Sequence, residues 1–212
     1  MTEDEAKHWL VHHCDVSRET MARLTALAEA VIAENERQNL ISAATIPHIW
    51  SRHIVDSAQL LKFRPKAPST LPWLDLGTGA GFPGMAIAIL ADFPVILVES
   101  RRKRATFLDR EASALGLTNV TIHGGRLETL PTCAVGVISA RAFAPLPKLL
   151  AVAHRFSGKE TRWLLPKGRS VREELESVRS SWQGVFHVEP SLTDAEAAII
   201  VATGVSPRKN AR

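Results

Sequence analysis

Several residue types are scarce in this chain, and their scarcity narrows what the chain can be. Of 212 residues none is tyrosine and only two are cysteine, Cys14 and Cys133, which form no CxxC pair. A disulfide framework and a cysteine-rich zinc site are therefore excluded, and we expect free thiols in a reducing cytoplasm. No run of about eighteen apolar residues occurs, so we expect no membrane-spanning helix and no membrane partner.

Signals for export, metal binding and self-association are also missing. The first ten residues, MTEDEAKHWL, are acidic and lack the basic and apolar regions of an export signal. His8 and His12 have helical spacing, but no third ligand is near them in the sequence, so we expect no metal. Because nothing in the sequence demands a dimer, we expect a monomer.

The charges are unevenly distributed along the chain. Residues 1–38 hold 4 basic and 8 acidic side chains, whereas residues 39–212 hold 22 basic and 14 acidic ones. Such a basic surface favours a polyanionic partner, with a solvated face as the alternative. Four consecutive cations are our candidates for binding RNA phosphate: Arg101, Arg102, Lys103 and Arg104.

The periodicity of the chain changes near residue 70. Residues 3–36 have helical spacing, with Ser17 as a plausible helix N-terminus, and a second helix is predicted over 47–63. Two prolines between residues 64 and 69 end it. We therefore predict a helical extension at 1–66, a cofactor-binding domain at 67–206 and a basic tail at 207–212.

After residue 70 the pattern alternates between strand and helix. Apolar runs typical of buried parallel strands fall at 71–76, 94–98, 119–122, 134–139 and 162–166, with helices at 82–91, 101–115 and 145–155. Two late strands, 185–188 and 197–202, are joined by too short a loop for a crossover, so they must be antiparallel. The chain is thus predicted to be an α/β protein with a sheet of about seven strands and a terminal antiparallel pair. This pattern is more typical of the Rossmann-like class I fold of methyltransferases that use S-adenosyl-L-methionine (SAM) than of a dinucleotide-binding sheet.

The turn after the first predicted strand is rich in glycine, which is typical of nucleotide-like cofactor sites. Read from Gly79, it satisfies the G-x-G-x-x-G pattern of NAD-binding proteins, and Glu99 lies 20 residues later. Read from Asp75, it gives D-x-G-x-G with Gly77 directly at the strand end. The second reading favours SAM, because Asp75 can take the methionyl ammonium and no pyrophosphate is needed. In either reading Glu99 can accept both ribose hydroxyls.

The chain resembles the RsmG family, also called GidB, over roughly residues 35–170. The matching segments are Asn39-Leu40, Arg52 to Ser57, Asp75 to Gly84, Lys103-Arg104, Arg126 to Glu128, Ser139 to Ala144 and Lys167-Gly168. Members of this family are bacterial cytoplasmic enzymes that use SAM to methylate N7 of one guanine in the decoding-region loop of 16S rRNA.

The resemblance implies positions for the cofactor and the substrate. It implies that Gly77 and Phe82 touch the cofactor, that Leu127 and Glu128 lie at the adenine, and that Arg141 lies in the binding site. Gly79 and Gly81 complete the turn. The partner implied is 16S rRNA or an assembling small ribosomal subunit. Glu196, just before the last strand, stands where family members often carry a basic residue.

Methylation of guanine N7 needs no proton transfer by the protein. N7 has an in-plane lone pair and no proton, so the site needs orientation rather than a general base. No residue is assigned to proton transfer; Arg141, Lys167, Arg52 and His53 are candidates for positioning. Lys167 is also a candidate for binding RNA, at phosphate or O6. Phe143 either stacks on an exposed base or anchors its loop.

Two other functions remain open at this point. One is a SAM methyltransferase with a different acceptor, and the other is an NAD-binding, RNA-associated module without methyl transfer.

Overall fold

A computed structural model of the chain describes residues 1–65 and 70–209. Its strands are β1 (Trp73–Leu76), β2 (Val95–Val98), β3 (Val120–His123), β4 (Val137–Ala140), β5 (Arg162–Lys167), β6 (Trp182–Pro190) and β7 (Ala198–Pro207). Within that part of the chain the seven strands form one sheet of order β3-β2-β1-β4-β5-β7-β6. The first five strands are parallel, and β7 is antiparallel to both β5 and β6. The predicted antiparallel pair is confirmed.

The strand order reverses between β1 and β4, and this reversal decides where a ligand can bind. From β1 the chain moves outward to β2 and β3, then returns to place β4 on the other side of β1. The segment after β1 therefore leads towards β2, and the segment after β4 leads the opposite way, towards β5. This leaves a crevice at the carboxyl ends of β1 and β4. Ligand sites in open α/β sheets lie at such a point.

Helices cover both faces of the sheet. They are α1 (Glu3–Cys14), α2 (Arg18–Asn35), α3 (Asp56–Ala58), α4 (Gly84–Leu90), α5 (Arg102–Ala114), α6 (Leu146–Ala153) and α7 (Val171–Glu176). One apolar cluster joins the N-terminal helices with α4 and α5, and a second joins α6 and α7 to the opposite face. The N-terminal helices thus share a hydrophobic core with the sheet.

The N-terminal helices begin and end at residues with identifiable roles. Asp15 has a left-handed backbone (φ 50°) and separates α1 from α2. The side chain of Ser17 then accepts a hydrogen bond from the Thr20 N–H, so the helix N-terminus predicted at Ser17 is confirmed. After α2, Asn35 Oδ1 accepts the N–H groups of Leu40 and Ile41 at 2.8 and 2.9 Å and fixes the turn.

The prediction of one regular helix over 47–63 is wrong in its geometry. The chain forms a 3₁₀ turn at Ala43–His48, a π-helical turn at Trp50–Val55, the short α3, and a second 3₁₀ turn at Gln59–Phe63. Hydroxyl groups compete for the backbone here, because Ser57 Oγ donates to the carbonyl of His53 at 2.5 Å. This irregular segment presents Arg52, His53 and Asp56 to the crevice.

The ends of the predicted domains are only partly described. The predicted boundary between residues 66 and 67 and the tail residues 210–212 lie outside the described residues. Pro207, where the tail was predicted to begin, is the last residue of β7. Arg208 donates from Nε to the carbonyls of Arg179 and Trp182 at 3.0 and 3.1 Å. These bonds attach it to the segment that leads from α7 into β6.

Candidate active site

A buried carboxylate supports the glycine turn between β1 and α4. Asp75 is fully buried; its Oδ1 accepts from Ser139 Oγ at 2.6 Å and its Oδ2 from the Gly84 N–H at 3.0 Å. Burial raises the pKa of Asp75, while the hydrogen bonds and the charge of Arg141 oppose that rise. Both carboxylate oxygens are therefore engaged beneath the turn, and Asp75 shapes the turn from below.

The first glycine of the turn lies against the loop that follows β4. Gly77 has a φ of 65°, and a Cβ placed on it would lie 2.7 Å from Cδ2 of Phe143. Both the backbone conformation and the close approach exclude a side chain at this position. The ring of Phe143 consequently covers the start of the turn.

Glu99 follows β2 and faces the same turn. Its side chain is 4% exposed, and its oxygens accept the N–H groups of Gly79 (3.1 Å) and Arg101 (2.7 Å). Each carboxylate oxygen accepts through one lone pair and keeps another available. The two backbone bonds fix the carboxylate beside the glycine turn.

Two cavities open at the carboxyl ends of the parallel strands. The first has a volume of about 570 Å³ and contains four of the residues predicted to bind cofactor: Gly77, Glu99, Leu127 and Glu128. The second has a volume of about 810 Å³ and contains all four positioning candidates: Arg52, His53, Arg141 and Lys167. Residues 142–144 line both cavities, so the loop after β4 is a wall between them.

Arg141 joins the loop after β4 to the irregular N-terminal segment. Its guanidinium donates to the Arg52 carbonyl at 3.1 Å, to Asp56 Oδ2 at 3.3 Å and to His53 Nδ1 at 2.8 Å. Because arginine is only a donor, His53 Nδ1 must accept, and Nε2 then carries the proton that is donated to Thr45 Oγ1 at 2.9 Å. One tautomer of His53 is thereby selected.

His53 is neutral in this environment. Burial, followed by the charges of Arg141 and Arg52, lowers its pKa to about 3. Its ring faces that of Phe82, with 5.1 Å between the ring centroids. The second cavity therefore contains a neutral imidazole beside a guanidinium, an arrangement that positions groups without transferring protons near neutral pH.

Comparison with known proteins places the chain in a family. A family model described as rRNA small subunit methyltransferase G, or GidB, matches residues 20–197. The chain belongs to this family. The "Ribosomal RNA small subunit methyltransferase G" of Rhizorhabdus wittichii is 56% identical over 98% of this chain and 95% of that protein. The protein of the same name from Zymomonas mobilis is 52% identical over 99% and 97%. The resemblance seen in the sequence is confirmed.

Solved structures identify the fold of this methyltransferase G family member. A SAM-dependent methyltransferase from Aquifex aeolicus superposes with a TM-score of 0.56 at 17% identity, covering 74% of this chain and 92% of that one. A ribosomal protein L11 methylase from Lactobacillus delbrueckii gives 0.56 at 14% identity, covering 72% and 77%. Together with the strand order, these similarities confirm the class I, Rossmann-like fold.

Several predicted cofactor residues lie outside the first cavity. Arg141 lines the second cavity, and the ring of Phe82 is buried against His53. A Cβ on Gly81 would lie 2.8 Å from Met85 Cγ, so this glycine is packed against α4. Gly79 contributes its N–H to Glu99. These residues shape the surroundings of the first cavity, whereas Gly77, Glu99, Leu127 and Glu128 line it.

The four consecutive cations differ in their environment. Arg101, Arg102 and Lys103 are exposed, whereas Arg104 is half-buried and donates from Nη2 to the Asn39 carbonyl at 2.6 Å. Arg104 also lines the first cavity. The predicted RNA-binding run thus splits into three solvent-facing cations and one that braces the turn after α2.

Three polar residues of the second cavity were not identified from the sequence. Thr193 and Asp194, in the loop between β6 and β7, bind Asp56 Oδ1 (2.7 Å) and Arg52 (2.6 Å). Glu174 on α7 accepts from Lys167 Nζ at 2.7 Å. The contacts of Thr193 and Asp194 join distant parts of the chain, whereas Glu174 lies seven residues after Lys167. No motif in the sequence marks any of the three.

The described residues contain neither a membrane span nor a metal-binding cluster. Among the residues that the structure describes, no helix is long and apolar enough to cross a bilayer. Within 1–65 and 70–209, no group of three or more His, Cys, Asp or Glu side chains is arranged to hold a metal ion. The imidazoles of His8 and His12 stack on each other, with 3.9 Å between their centroids.

Proposed function

We propose that this chain transfers a methyl group from SAM to N7 of one guanine in the decoding-region loop of 16S rRNA. The observation that carries this proposal is the pair of cavities sharing the wall at 142–144, in a chain of the rRNA small subunit methyltransferase G family. Such an arrangement gives the cofactor and the acceptor base separate sites that meet at one loop.

The residues of the first cavity fit SAM. Gly77 lines this cavity with bare backbone, because the Phe143 ring occupies the place of a side chain. Glu99 offers fixed carboxylate lone pairs to the ribose hydroxyls. Leu127 and Glu128 supply an apolar and an acceptor surface for the adenine. Asp75 acts through the turn that it supports, since it is fully buried and lines neither cavity.

The residues of the second cavity fit an acceptor that needs no deprotonation. Bound in the first cavity, SAM would supply the methyl carbon on its sulfonium. The N7 lone pair would form the new C–N bond as the C–S bond breaks and S-adenosylhomocysteine leaves. His53 is neutral and adds no positive charge beside a base that becomes cationic. Phe143, in the wall, stacks on the target base, and Arg141, Arg52 and Lys167 orient the base and its phosphate.

The exposed cations Arg101, Arg102 and Lys103 hold the RNA backbone outside the cavities. The partner is 16S rRNA or an assembling small ribosomal subunit, and the enzyme acts in the cytoplasm as a monomer. Net positive charge on residues 39–212 favours association with this polyanion.

Calorimetry with SAM, S-adenosylhomocysteine and NAD tests the cofactor assignment. We expect both sulfur compounds to bind and NAD not to bind. Glu99→Gln should weaken SAM binding about 10- to 100-fold, because its amide oxygen can accept only one of the Gly79 and Arg101 N–H groups and its NH₂ then opposes the other. Glu160→Gln is a matched control, since Glu160 is exposed.

Two other outcomes would contradict this proposal. Tight binding of NAD without binding of SAM would instead support a dinucleotide-binding module. Binding of SAM with methyl transfer to a protein or a small molecule, but not to 16S rRNA, would refute the acceptor.

A further inference from the structure

Three carboxylates line the second cavity, and they differ in how far their oxygens are engaged. Asp56 Oδ1 accepts from Gln59 and Thr193, and its Oδ2 accepts from Arg141. Asp194 Oδ2 accepts from Arg52, and its Oδ1 from the Glu196 N–H. All four of these oxygens have a partner within the protein.

Glu174 is different from the other two. Its Oε2 accepts from Lys167 Nζ at 2.7 Å and from the Leu146 N–H at 3.2 Å. Its Oε1 receives no hydrogen bond from any residue in the described ranges, although the residue lines the cavity. The Glu174 side chain is 24% exposed and the Lys167 side chain 11%, so the pair is partly shielded from water. A free acceptor therefore sits beside an ammonium that has two protons left to donate.

The geometry points to Glu174, with Lys167, as the pair that recognises the target base as guanine. The inference rests on the proposed function. Guanine presents the O6 acceptor next to the N1–H and N2–H donors, which complements an ammonium next to a carboxylate. Adenine has an amino donor in place of O6 and an unprotonated acceptor at N1. Its donor would face the ammonium and its acceptor would face the carboxylate, so neither hydrogen bond could form.

The pair lies beside the wall that N7 of a bound guanine would face. N7 must face the wall at 142–144, which follows β4 and borders the first cavity. Around the edge of guanine, O6 follows N7, and N1 and N2 follow O6. Glu174 accepts from the Leu146 N–H, two residues beyond the wall, and from Lys167, which ends β5 next to β4. Beside the wall the cavity thus offers an ammonium for O6 and, next to it, a carboxylate for N1 and N2.

The test compares guanosine with inosine, which lacks only the N2 amino group, at the target position. Small subunits reconstituted with ligated 16S rRNA carry either base, and transfer of radioactive methyl from SAM gives kcat/KM. We expect the wild-type protein to lose at least tenfold with inosine. In Glu174→Gln the amide oxygen keeps the bonds to Lys167 and Leu146, which turns the NH₂ towards the base donors. That variant should be at least tenfold slower on guanosine and should differ less than threefold between the two bases.

Glu173→Gln, an exposed neighbour on α7, is the matched control and should keep the wild-type ratio. If Glu174→Gln unfolds at a lower temperature than the wild-type protein, Glu174→Asp replaces it in the test. The shorter aspartate side chain should lower the preference for guanosine at least threefold. Equal wild-type rates on the two bases, or an unchanged preference in the Glu174 variant, would overturn the inference while leaving the proposed function intact. Failure of the wild-type protein to methylate the guanosine subunits would instead refute the proposed function.

Discussion

His53 is held neutral by its neighbours, and this has a consequence for stability. The unfolded side chain takes up a proton near its ordinary pKa of 6.5, whereas the folded one does so only near 3. Between these values the unfolded state binds more protons, so the free energy of unfolding falls as the pH is lowered through that window.

We expect lowering the pH from 7 to 5 to cost the wild-type protein about 2 kcal/mol more than it costs His53→Gln. Glutamine can still accept from Arg141 and donate to Thr45, but it does not titrate. Urea denaturation of both proteins at the two pH values measures the difference. An identical pH dependence in wild type and variant would show that His53 is not held neutral.

Phe143 is placed to act on the acceptor because its ring lines both cavities. Phe143→Leu keeps an apolar group against Gly77 but removes the flat ring face. With base stacking worth about 1–3 kcal/mol, kcat/KM for rRNA should fall about 5- to 150-fold, while SAM affinity changes much less. Phe186→Leu, a half-buried phenylalanine on β6, is the control. Equal effects of the two substitutions on kcat/KM would make Phe143 a loop anchor only.

The order of elements could be predicted from the sequence because each central strand reads as an apolar run between helical segments. Local pattern alone could not give the irregular 43–63 segment, whose turns depend on Pro47 and on hydroxyl groups bonded to the backbone. Nor could it give α7, which is only six residues long. The polar residues of the second cavity come together across the fold: Thr193 and Asp56, for example, are 137 residues apart in the chain.

The junction of α4 with the sheet depends on Gly84. A Cβ there would overlap Leu97 Cδ2 and lie 2.8 Å from Asp75 Oδ2 and 3.0 Å from Asp75 Cβ. Because Leu97 and Asp75 are fully buried, neither can move freely. We expect Gly84→Ala to destabilise the protein by about 1–3 kcal/mol in urea denaturation.

Gly168 provides the comparison for that substitution. A Cβ on Gly168 has nothing within 4 Å, and its φ is not in the left-handed region. Gly168→Ala should change stability by less than about 0.5 kcal/mol. If the two substitutions lowered the free energy of unfolding equally, the close packing of α4 against β2 would not be the reason for a glycine at position 84.

Over the whole molecule, positive charge should govern how the protein associates with RNA. Arg101 and Arg102 are exposed at the start of α5, beside the turn that follows α2. Replacing both with alanine should weaken RNA binding at low salt and reduce the slope of log K against log salt by about 1 to 2, as expected for two lost phosphate contacts. Filter binding over a range of salt concentrations measures both quantities.

Arg18→Ala with Arg23→Ala removes the same charge from the opposite end of α2, about 20 Å away along the helix. This double variant should keep a slope close to that of the wild-type protein. If the two double variants have the same slope, Arg101 and Arg102 form only a solvated face.

The central claim is methylation of guanine N7 in 16S rRNA, and mass spectrometry of the product tests it most directly. Small subunits from a strain that lacks this gene are incubated with the purified protein and SAM, and nuclease fragments of the rRNA are analysed. We expect one N7-methylguanosine in the decoding-region loop, absent before incubation. N7-methylguanosine already present at that site in the deletion strain, or a methyl group added at another atom, would contradict the account.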